Sequence, residues 1–257
     1  MSWMVAGALW GLASPAQAQT SELKIDGGDG TAIFFHGRPP TPTFPLAMKA
    51  LCYPSGLKVW VVEHEGRPLA GVAAVVDAGA SDELPNEVGA AHVLEHLWFR
   101  SPRVGEGSTS DALGAIGAEM NAYTGHDSTT YVTVANKRSL RSLLVLEVAR
   151  MEGPMDGLTD EDIEREKRVV QQEIAQKYDG ADGALTALSR AFVTPDYPYA
   201  RSVGGSVQEV GALTRVELNA FALRMYRPDN LTLKVQAAGD VVDFTYDAEQ
   251  YPRGERL

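Results

Sequence analysis

Two histidines and a glutamate lie close together in the segment HVLEH, residues 92–96. On a helix, residues i and i+4 share one face, so both imidazoles can bind a single metal ion. A catalytic zinc ion takes three protein ligands and leaves a fourth position for water. Zinc lowers the pKa of that water to about 7, and a neighbouring carboxylate can accept its proton. The spacing predicts a hydrolytic metal centre; the alternative is a pair of hydrogen-bonded core histidines.

The third ligand must come from another element, and the helix predicted over residues 159–178 offers two acids. Glu166 and Glu173 are seven residues apart, which is about two helical turns, so they lie on one face. Their valine and isoleucine neighbours would press that face into the core, where a carboxylate without a partner is costly. Both acids are candidate ligands. The alternative is a solvated charged face, which fits Glu161 and Glu164.

Five ordered segments of the chain carry a family resemblance. They read GAAHVLEHLWF (89–99), AEMNAYTGHDSTTYV (118–132), EREKRVVQQEI (164–174), YPYARSVGG (197–205) and YRPDNLTLKVQAAGD (226–240). In these segments the chain resembles the pitrilysin/insulinase family of zinc metallopeptidases, which includes the mitochondrial processing peptidase. The H-x-x-E-H order is that of the inverzincins. The resemblance covers roughly residues 46–240.

The resemblance assigns roles to the acids and histidines of the predicted site. It implies that the chain binds one Zn²⁺ and that Glu95 is the general base. The implied metal ligands are His92, His96 and Glu173. Glu166 then becomes a side chain that orients a ligand, as groups around a metal site commonly do.

The resemblance also implies where a substrate binds. Asn121 and Ala122 match an edge strand beside the metal, onto which an extended peptide adds as a further strand. The predicted function is therefore that of a zinc-dependent endopeptidase, or its catalytic N-terminal half. It would hydrolyse extended or unfolded peptides through a zinc-bound water that Glu95 activates.

A second interpretation follows from the length of the chain. Family members build a clamshell from repeated α+β units, and this chain holds one such unit. A non-catalytic metal-binding module, a subunit that needs a second chain, and an inactive truncated fragment are the alternatives to an active peptidase. The expected partners are a peptide substrate and either a second α+β unit or another copy of the chain.

The order of hydrophobic patterns predicts the elements that position the site. Strands are predicted over 57–63, 69–76, 119–123, 129–135 and 230–238, and helices over 86–99, 110–116, 139–151, 159–178, 184–192 and 215–226. The first two strands read as a hairpin. Thr159 and the acids after it read as the capped start of their helix. The prediction is an α+β fold, a mostly antiparallel sheet with helices on one face, like one half of a processing-peptidase clamshell.

Composition narrows the function further. Lys plus Arg is 23 and Asp plus Glu is 34, so the net charge of the 257 residues is 23 − 34 = −11. An acidic chain without a basic stripe is a poor ligand for nucleic acid or anionic lipid. Cys52 is the single cysteine, which excludes an intrachain disulfide and a cysteine zinc cluster.

The ends of the chain differ from its middle. An apolar run over residues 3–13 is too short to span a bilayer, and Ala16-x-Ala18 follows it in the manner of a signal-peptidase site. Residues 1–19 are expected to be a signal peptide, cleaved before Gln19, which predicts a periplasmic or secreted protein. The remaining divisions are a proline-rich arm or linker (20–45), the metallopeptidase domain (46–240) and a tail (241–257) that departs from the family pattern, as a truncated chain would.

Overall fold

The computed structural model describes the middle of the chain almost continuously. The described residues are 24–26, 32–34, 48–63, 68–102, 107–149, 153, 155–178, parts of 183–192, and 197–237. The chain divides into two units, residues 1–45 and 46–257. In the first, β1 (Lys24–Asp26) pairs antiparallel with β2 (Ala32–Phe34). The predicted signal peptide, the predicted tail and most of the proline-rich arm lie outside the described residues.

The second unit contains a six-stranded sheet. Its strands are β3 (Met48–Cys52), β4 (Lys58–Glu63), β5 (Leu69–Val76), β6 (Glu119–Thr124), β7 (Thr129–Asn136) and β8 (Leu231–Ala237). Their order across the sheet is β3-β4-β8-β5-β7-β6. Of the described pairs, β4 with β8 is parallel and the others are antiparallel. The predicted hairpin between β6 and β7 is confirmed. Edge strand β3 was not predicted from the sequence.

The predicted hairpin between β4 and β5 is wrong. The two strands do not pair with each other, because β8 lies between them and bonds to both. The turn-forming composition of residues 64–68 is a local signal, and it carries no information about a strand that arrives much later in the chain. β8 pairs with the backbone N–H and C=O groups on the facing edges of β4 and β5. The apolar residues of all three strands are then buried on one face of the sheet.

The helices cover one face of this sheet. They are α1 (Ala90–Arg100), α2 (Thr109–Ala115), α3 (Leu140–Ala149), α4 (Asp160–Tyr178), α5 (Val207–Ala212) and α6 (Arg215–Met225). Along β5 and β7 fully buried residues alternate with partly exposed ones, which is the pattern of a sheet packed on one side. The predicted α+β fold, mostly antiparallel with helices on one face, is confirmed. Among the described helices, none combines the length and apolar character needed to cross a bilayer.

Two helix boundaries show how local chemistry sets the fold. Thr159 and Asp162 form the predicted cap at the start of α4: each side chain accepts a hydrogen bond from the other's backbone N–H, at 3.1 and 3.0 Å. The same arrangement joins Ser206 and Glu209 at the start of α5. That helix was missed in the sequence, although its S-x-x-E spacing is a recognisable start signal.

Helix α1, which carries both candidate histidines, begins later than the sequence predicts. Gly89 precedes it with φ at +91°, a left-handed conformation that glycine adopts without strain. A Cβ at this position would lie 2.9 Å from the Gly204 carbonyl oxygen and 2.8 Å from a methyl group of Val210. The chain therefore turns sharply at Gly89, and the helix starts at Ala90 rather than at Asn86.

Glu83 anchors the start of α1 from outside the helix. Its buried carboxylate accepts hydrogen bonds from the backbone N–H groups of Gly89 and Ala91, both at 2.9 Å. These N–H groups have no partner within the helix, so the contact replaces a conventional cap. Burial raises the pKa of Glu83 to about 7, although both hydrogen bonds and nearby Arg201 oppose the rise. Ala91 directly precedes His92, so this anchor helps to place the first candidate ligand.

The raised pKa of Glu83 predicts a pH-dependent stability. The folded-state pKa of Glu83, about 7, lies above its ordinary value of 4.5. The contribution of protonated Glu83 to the free energy of unfolding is therefore complete below about pH 4.5, and it is lost as the pH rises through 7. Urea unfolding of the parent and of Glu83→Gln across this range should show the parent losing stability relative to the variant as the pH rises. Parallel curves would contradict the prediction.

Candidate metal centre

Helices α1 and α4 bring three potential metal ligands together. His92 and His96 are one turn apart on α1, and their ring centroids are 4.9 Å apart. Glu173 Oε2, on α4, lies 3.5 Å from His92 Nε2 and 3.6 Å from His96 Nε2. Among the described residues, these three side chains form the group whose ligand atoms converge closely enough to hold an ion. The third side chain of the cluster is therefore Glu173 and not Glu166.

The donor set fits a zinc ion. Two nitrogens and a carboxylate oxygen are ordinary zinc ligands, and donors about 2.0–2.1 Å from a tetrahedral ion are about 3.4 Å from one another. The two distances from Glu173 Oε2 are close to that separation. Burial lowers the pKa of His92 to about 4, and the charges of His96 and Lys177 add to the shift. His92 is thus neutral at pH 7, the state in which an imidazole binds a metal.

One nitrogen of the cluster is buried and unsatisfied within the described part of the chain. His92 Nδ1 has no hydrogen-bond partner there. Gly204 packs directly over it, and a Cβ on Gly204 would lie 3.1 Å from this atom. The atom of His92 that faces the other two ligands is Nε2, so Nδ1 lacks a described partner under either interpretation, and the case for a metal rests on the convergence of the three ligand atoms.

Glu95 lies beside the cluster, on the same helix. Its carboxylate accepts a short hydrogen bond from Thr124 Oγ1 at the end of β6. Burial raises the pKa of Glu95, while the Thr124 hydrogen bond and the charge of His96 act in the opposite direction. A carboxylate with a raised pKa is a stronger base once ionised, and Thr124 fixes its orientation. This arrangement suits a group that accepts and returns a proton.

Glu166 lies on the same face of α4 as Glu173, two helical turns earlier, and its carboxylate is not among the three converging ligand atoms. Its Oε2 is 3.5 Å from His96 Nδ1, and its Oε1 accepts a hydrogen bond from Arg100 Nε at 2.8 Å. Its side chain is 4% exposed, against 48% for Glu173. The expectation that both acids are pressed into the core is thus right for Glu166 and wrong for Glu173, whose side chain reaches solvent beside the two histidines.

The contact between Glu166 and His96 predicts an effect on metal affinity. Glu166→Gln removes the charge that orients the imidazole, and loss of such a contact lowers metal affinity by about 10- to 100-fold. A competition titration of zinc against a chelator measures this. Glu161→Gln is the matched control, because Glu161 is an exposed acid on the same helix. Equal affinities for both variants and the parent would rule out an orienting role for Glu166.

Asn121 and Ala122 lie on β6, which has one neighbour, β7, in the described sheet. The Asn121 side chain bonds along its own strand: Oδ1 accepts from the Ala122 backbone N–H at 2.9 Å, and Nδ2 donates to the Tyr123 hydroxyl at 2.7 Å. The Ala122 N–H therefore bonds to a side chain rather than to β7. A peptide strand that pairs with this edge must take over that N–H.

Three residues that contact the site were not singled out in the sequence. Arg100 follows His96 by four residues, so helical spacing alone could have identified it. Glu83 reaches N–H groups six and eight residues ahead, beyond the three-residue spacing of a capping box. Thr124 meets Glu95 through the packing of a strand end against α1, for which the sequence contains no local signal.

The chain is similar to proteins that are named as zinc proteases. The family model described as insulinase (peptidase family M16) matches residues 58–196. An uncharacterized zinc protease of Mycobacterium tuberculosis is 35% identical over 207 residues, which are 79% of this chain and 46% of that protein. Subunit 1 of the mitochondrial cytochrome b-c1 complex of Bos taurus is 26% identical over 221 residues, which are 86% of this chain and 44% of that protein. The chain thus spans about half the length of the relatives it matches.

Solved structures show the same fold. A protease from Helicobacter pylori superposes with a TM-score of 0.70 at 21% identity, covering 82% of this chain and 51% of that one. An M16-like peptidase from Alicyclobacillus acidocaldarius gives 0.65 at 23% identity, covering 78% and 48%. At these identities the likeness concerns the architecture alone. It supports the arrangement of one sheet with helices on one face.

Proposed function

Because the chain belongs to the insulinase family (peptidase family M16), we propose that it is a zinc-dependent endopeptidase, or the catalytic half of one, acting on extended or unfolded peptides. The observation that carries this proposal is the convergence of His92, His96 and Glu173, with Glu95 beside them. The naming of several relatives as zinc proteases supports it.

Each residue of the cluster has a role in this proposal. His92 and His96 through Nε2 and Glu173 through Oε2 would hold the ion. Zinc supplies Lewis acidity, which polarises a peptide carbonyl and makes a water more acidic. Glu95 takes a proton from the attacking water and returns it to the leaving amine, which its raised pKa favours. Thr124 holds the carboxylate in place through both transfers.

The edge of β6 would bind the substrate backbone. An extended peptide that adds to this edge forms main-chain hydrogen bonds whatever its sequence, and this favours unfolded over folded substrates. Its carbonyl takes over the Ala122 N–H from Asn121 Oδ1, and the displaced Asn121 amide is free to bond to the incoming strand. Thr124 ends β6 against Glu95, so a peptide paired with this edge runs directly past the proposed base.

The test is cleavage of an internally quenched, unstructured peptide by the purified chain. Cleavage should stop when a chelator removes the metal and return when zinc is added in a slight molar excess. Magnesium, which prefers oxygen ligands in octahedral geometry, should not restore it. Cleavage that survives complete metal removal would overturn the proposal.

One observation favours a second candidate. The chain spans about half the length of its relatives, and one of these is named as a subunit of the cytochrome b-c1 complex rather than as a protease. The alternative function is a zinc-binding subunit that becomes active, or serves as a scaffold, when a second α+β unit joins it. If the chain alone binds zinc but cleaves no peptide, and gains activity on association with a second unit, this alternative is correct.

Export remains a separate proposal. The apolar run over residues 3–13 and Ala16-x-Ala18 are its support. A mature protein that begins at Gln19, found in the periplasm or the medium, is the expected result of N-terminal sequencing. An intact Met1 on the cytoplasmic protein would overturn it.

A further inference from the structure

Three rings stack beside the end of β6. The rings of His126 and Tyr199 have centroids 4.7 Å apart and are inclined by 5°, and those of Tyr199 and Tyr197 are 5.3 Å apart and inclined by 21°. Tyr197, at one end of the stack, is 55% exposed, so more than half of its surface is in contact with solvent. These three side chains are called the aromatic shelf below.

Hydrogen bonds hold two members of the shelf, Tyr199 and His126, at their polar edges. The Tyr199 hydroxyl donates a short hydrogen bond to Asp127, which raises the pKa of Tyr199 to about 12 and keeps it neutral. His126 Nε2 lies 3.2 Å from the Arg201 carbonyl oxygen, and Ser81 Oγ donates to the His126 carbonyl at 2.8 Å. A surface fixed in this way loses little conformational entropy when a ligand covers it.

Both ends of the shelf connect to the candidate metal centre. His126 follows Thr124 by two residues, in the turn that joins β6 to β7, and Thr124 bonds to Glu95. On the other side, the segment from Tyr197 continues to Gly204, which packs over His92 Nδ1. A peptide that runs along the edge of β6 past Glu95 therefore reaches the shelf within a few residues.

The geometry points to a specificity site. We propose that the aromatic shelf binds an aromatic side chain of the peptide that pairs with β6, a few residues away from the bond that is cleaved. This inference rests on the proposed function, because it takes the edge of β6 as the site of the substrate backbone. The nearly parallel rings leave the exposed face of Tyr197 as the next position in the stack, and aromatic rings pair in offset or edge-to-face contact at centroid distances of about 4.5–7 Å.

The test measures binding rather than turnover. Zinc-loaded Glu95→Gln protein is titrated into fluorescent unstructured peptides in which a single Phe is moved one position at a time through an otherwise aromatic-free sequence, with an all-Ala peptide as reference. We expect the best Phe peptide to bind about tenfold more tightly than the reference, which is about 1.4 kcal/mol. Tyr197→Ala should reduce this ratio to within about twofold, and Tyr197→Phe should preserve it.

A matched control removes an exposed aromatic ring elsewhere. Trp60, on β4, is 43% exposed, and Trp60→Ala should leave the Phe preference intact. The proposal that the aromatic shelf binds an aromatic side chain would be overturned by any of three results. These are equal binding of all peptides, no binding at all, and a Phe preference that survives Tyr197→Ala.

Cleavage by the parent chain separates the two proposals. If the parent cleaves peptides but shows no Phe preference in binding, the endopeptidase proposal is supported and the proposed role of the aromatic shelf is wrong. If the Tyr197-dependent preference appears but no peptide is cleaved, the shelf stands and the chain alone is not an endopeptidase.

Discussion

The Glu95→Gln variant is expected to hydrolyse an unstructured peptide with a kcat about 10²- to 10⁴-fold below that of the parent. An amide has nearly the same shape as the carboxylate and can still accept the Thr124 hydrogen bond, but it cannot take a proton from water. Zinc content should remain at the parent level, because the converging ligand atoms belong to His92, His96 and Glu173. Steady-state kinetics and metal analysis on the same preparation measure both quantities.

The control for this prediction is Glu161→Gln, the same chemical change at an exposed position on α4. It should retain both activity and zinc. A Glu95→Gln variant that cleaves at the parent rate would remove Glu95 from the chemistry. If it loses activity and zinc together, Glu95 has a structural role in holding the cluster, and its assignment as a base is wrong.

Removal of a single metal ligand is expected to empty the site. His96→Ala and Glu173→Gln should each reduce the zinc content from about one ion per chain to almost none after dialysis, and peptide hydrolysis should disappear with it. Loss of a contact that merely orients a ligand costs about 10- to 100-fold in affinity, so loss of a ligand should exceed that range. Metal analysis of the dialysed proteins measures the result.

Glu173→Gln is the more informative of these two variants. Its side chain is half-exposed, so the substitution should not disturb folding, and unchanged thermal unfolding of the metal-free proteins is the control. Retention of zinc in Glu173→Gln would show that the third ligand lies elsewhere. Absence of zinc from the folded parent would favour the subunit that needs a second chain.

The two helices of the site could be predicted because their information is local. The H-x-x-E-H spacing places His92 and His96 one turn apart, and the seven-residue interval places Glu166 and Glu173 on one face of α4. The structure brings both faces together. Residue spacing alone left both acids as candidates, because spacing does not say which turn of α4 meets which turn of α1. That choice depends on how the helices pack.

The contacts that tune the site depend on long-range packing. Thr124 meets Glu95 across 29 positions of sequence, and Arg201 donates to the Glu83 carbonyl across 118. No periodicity connects such pairs. The prediction that Glu173 is buried is wrong for the same reason: apolar neighbours in the sequence predict a buried side chain, but they do not show which turns of the helix other elements cover.

The position of β8 has a consequence for how the chain folds during synthesis. β8 is the last described strand of the sequence, yet it fills a place in the interior of the sheet, between β4 and β5. Until residues 231–237 leave the ribosome, β4 can pair with β3, but the edges of β4 and β5 that β8 joins have no native partner, and any hairpin between β4 and β5 must open before β8 can insert. The sheet is therefore completed after synthesis of the whole domain, and the nascent chain stays unfolded for longer than one with sequential strand pairing. If the chain is exported as proposed, this late closure would keep it in a form that a translocation channel can accept.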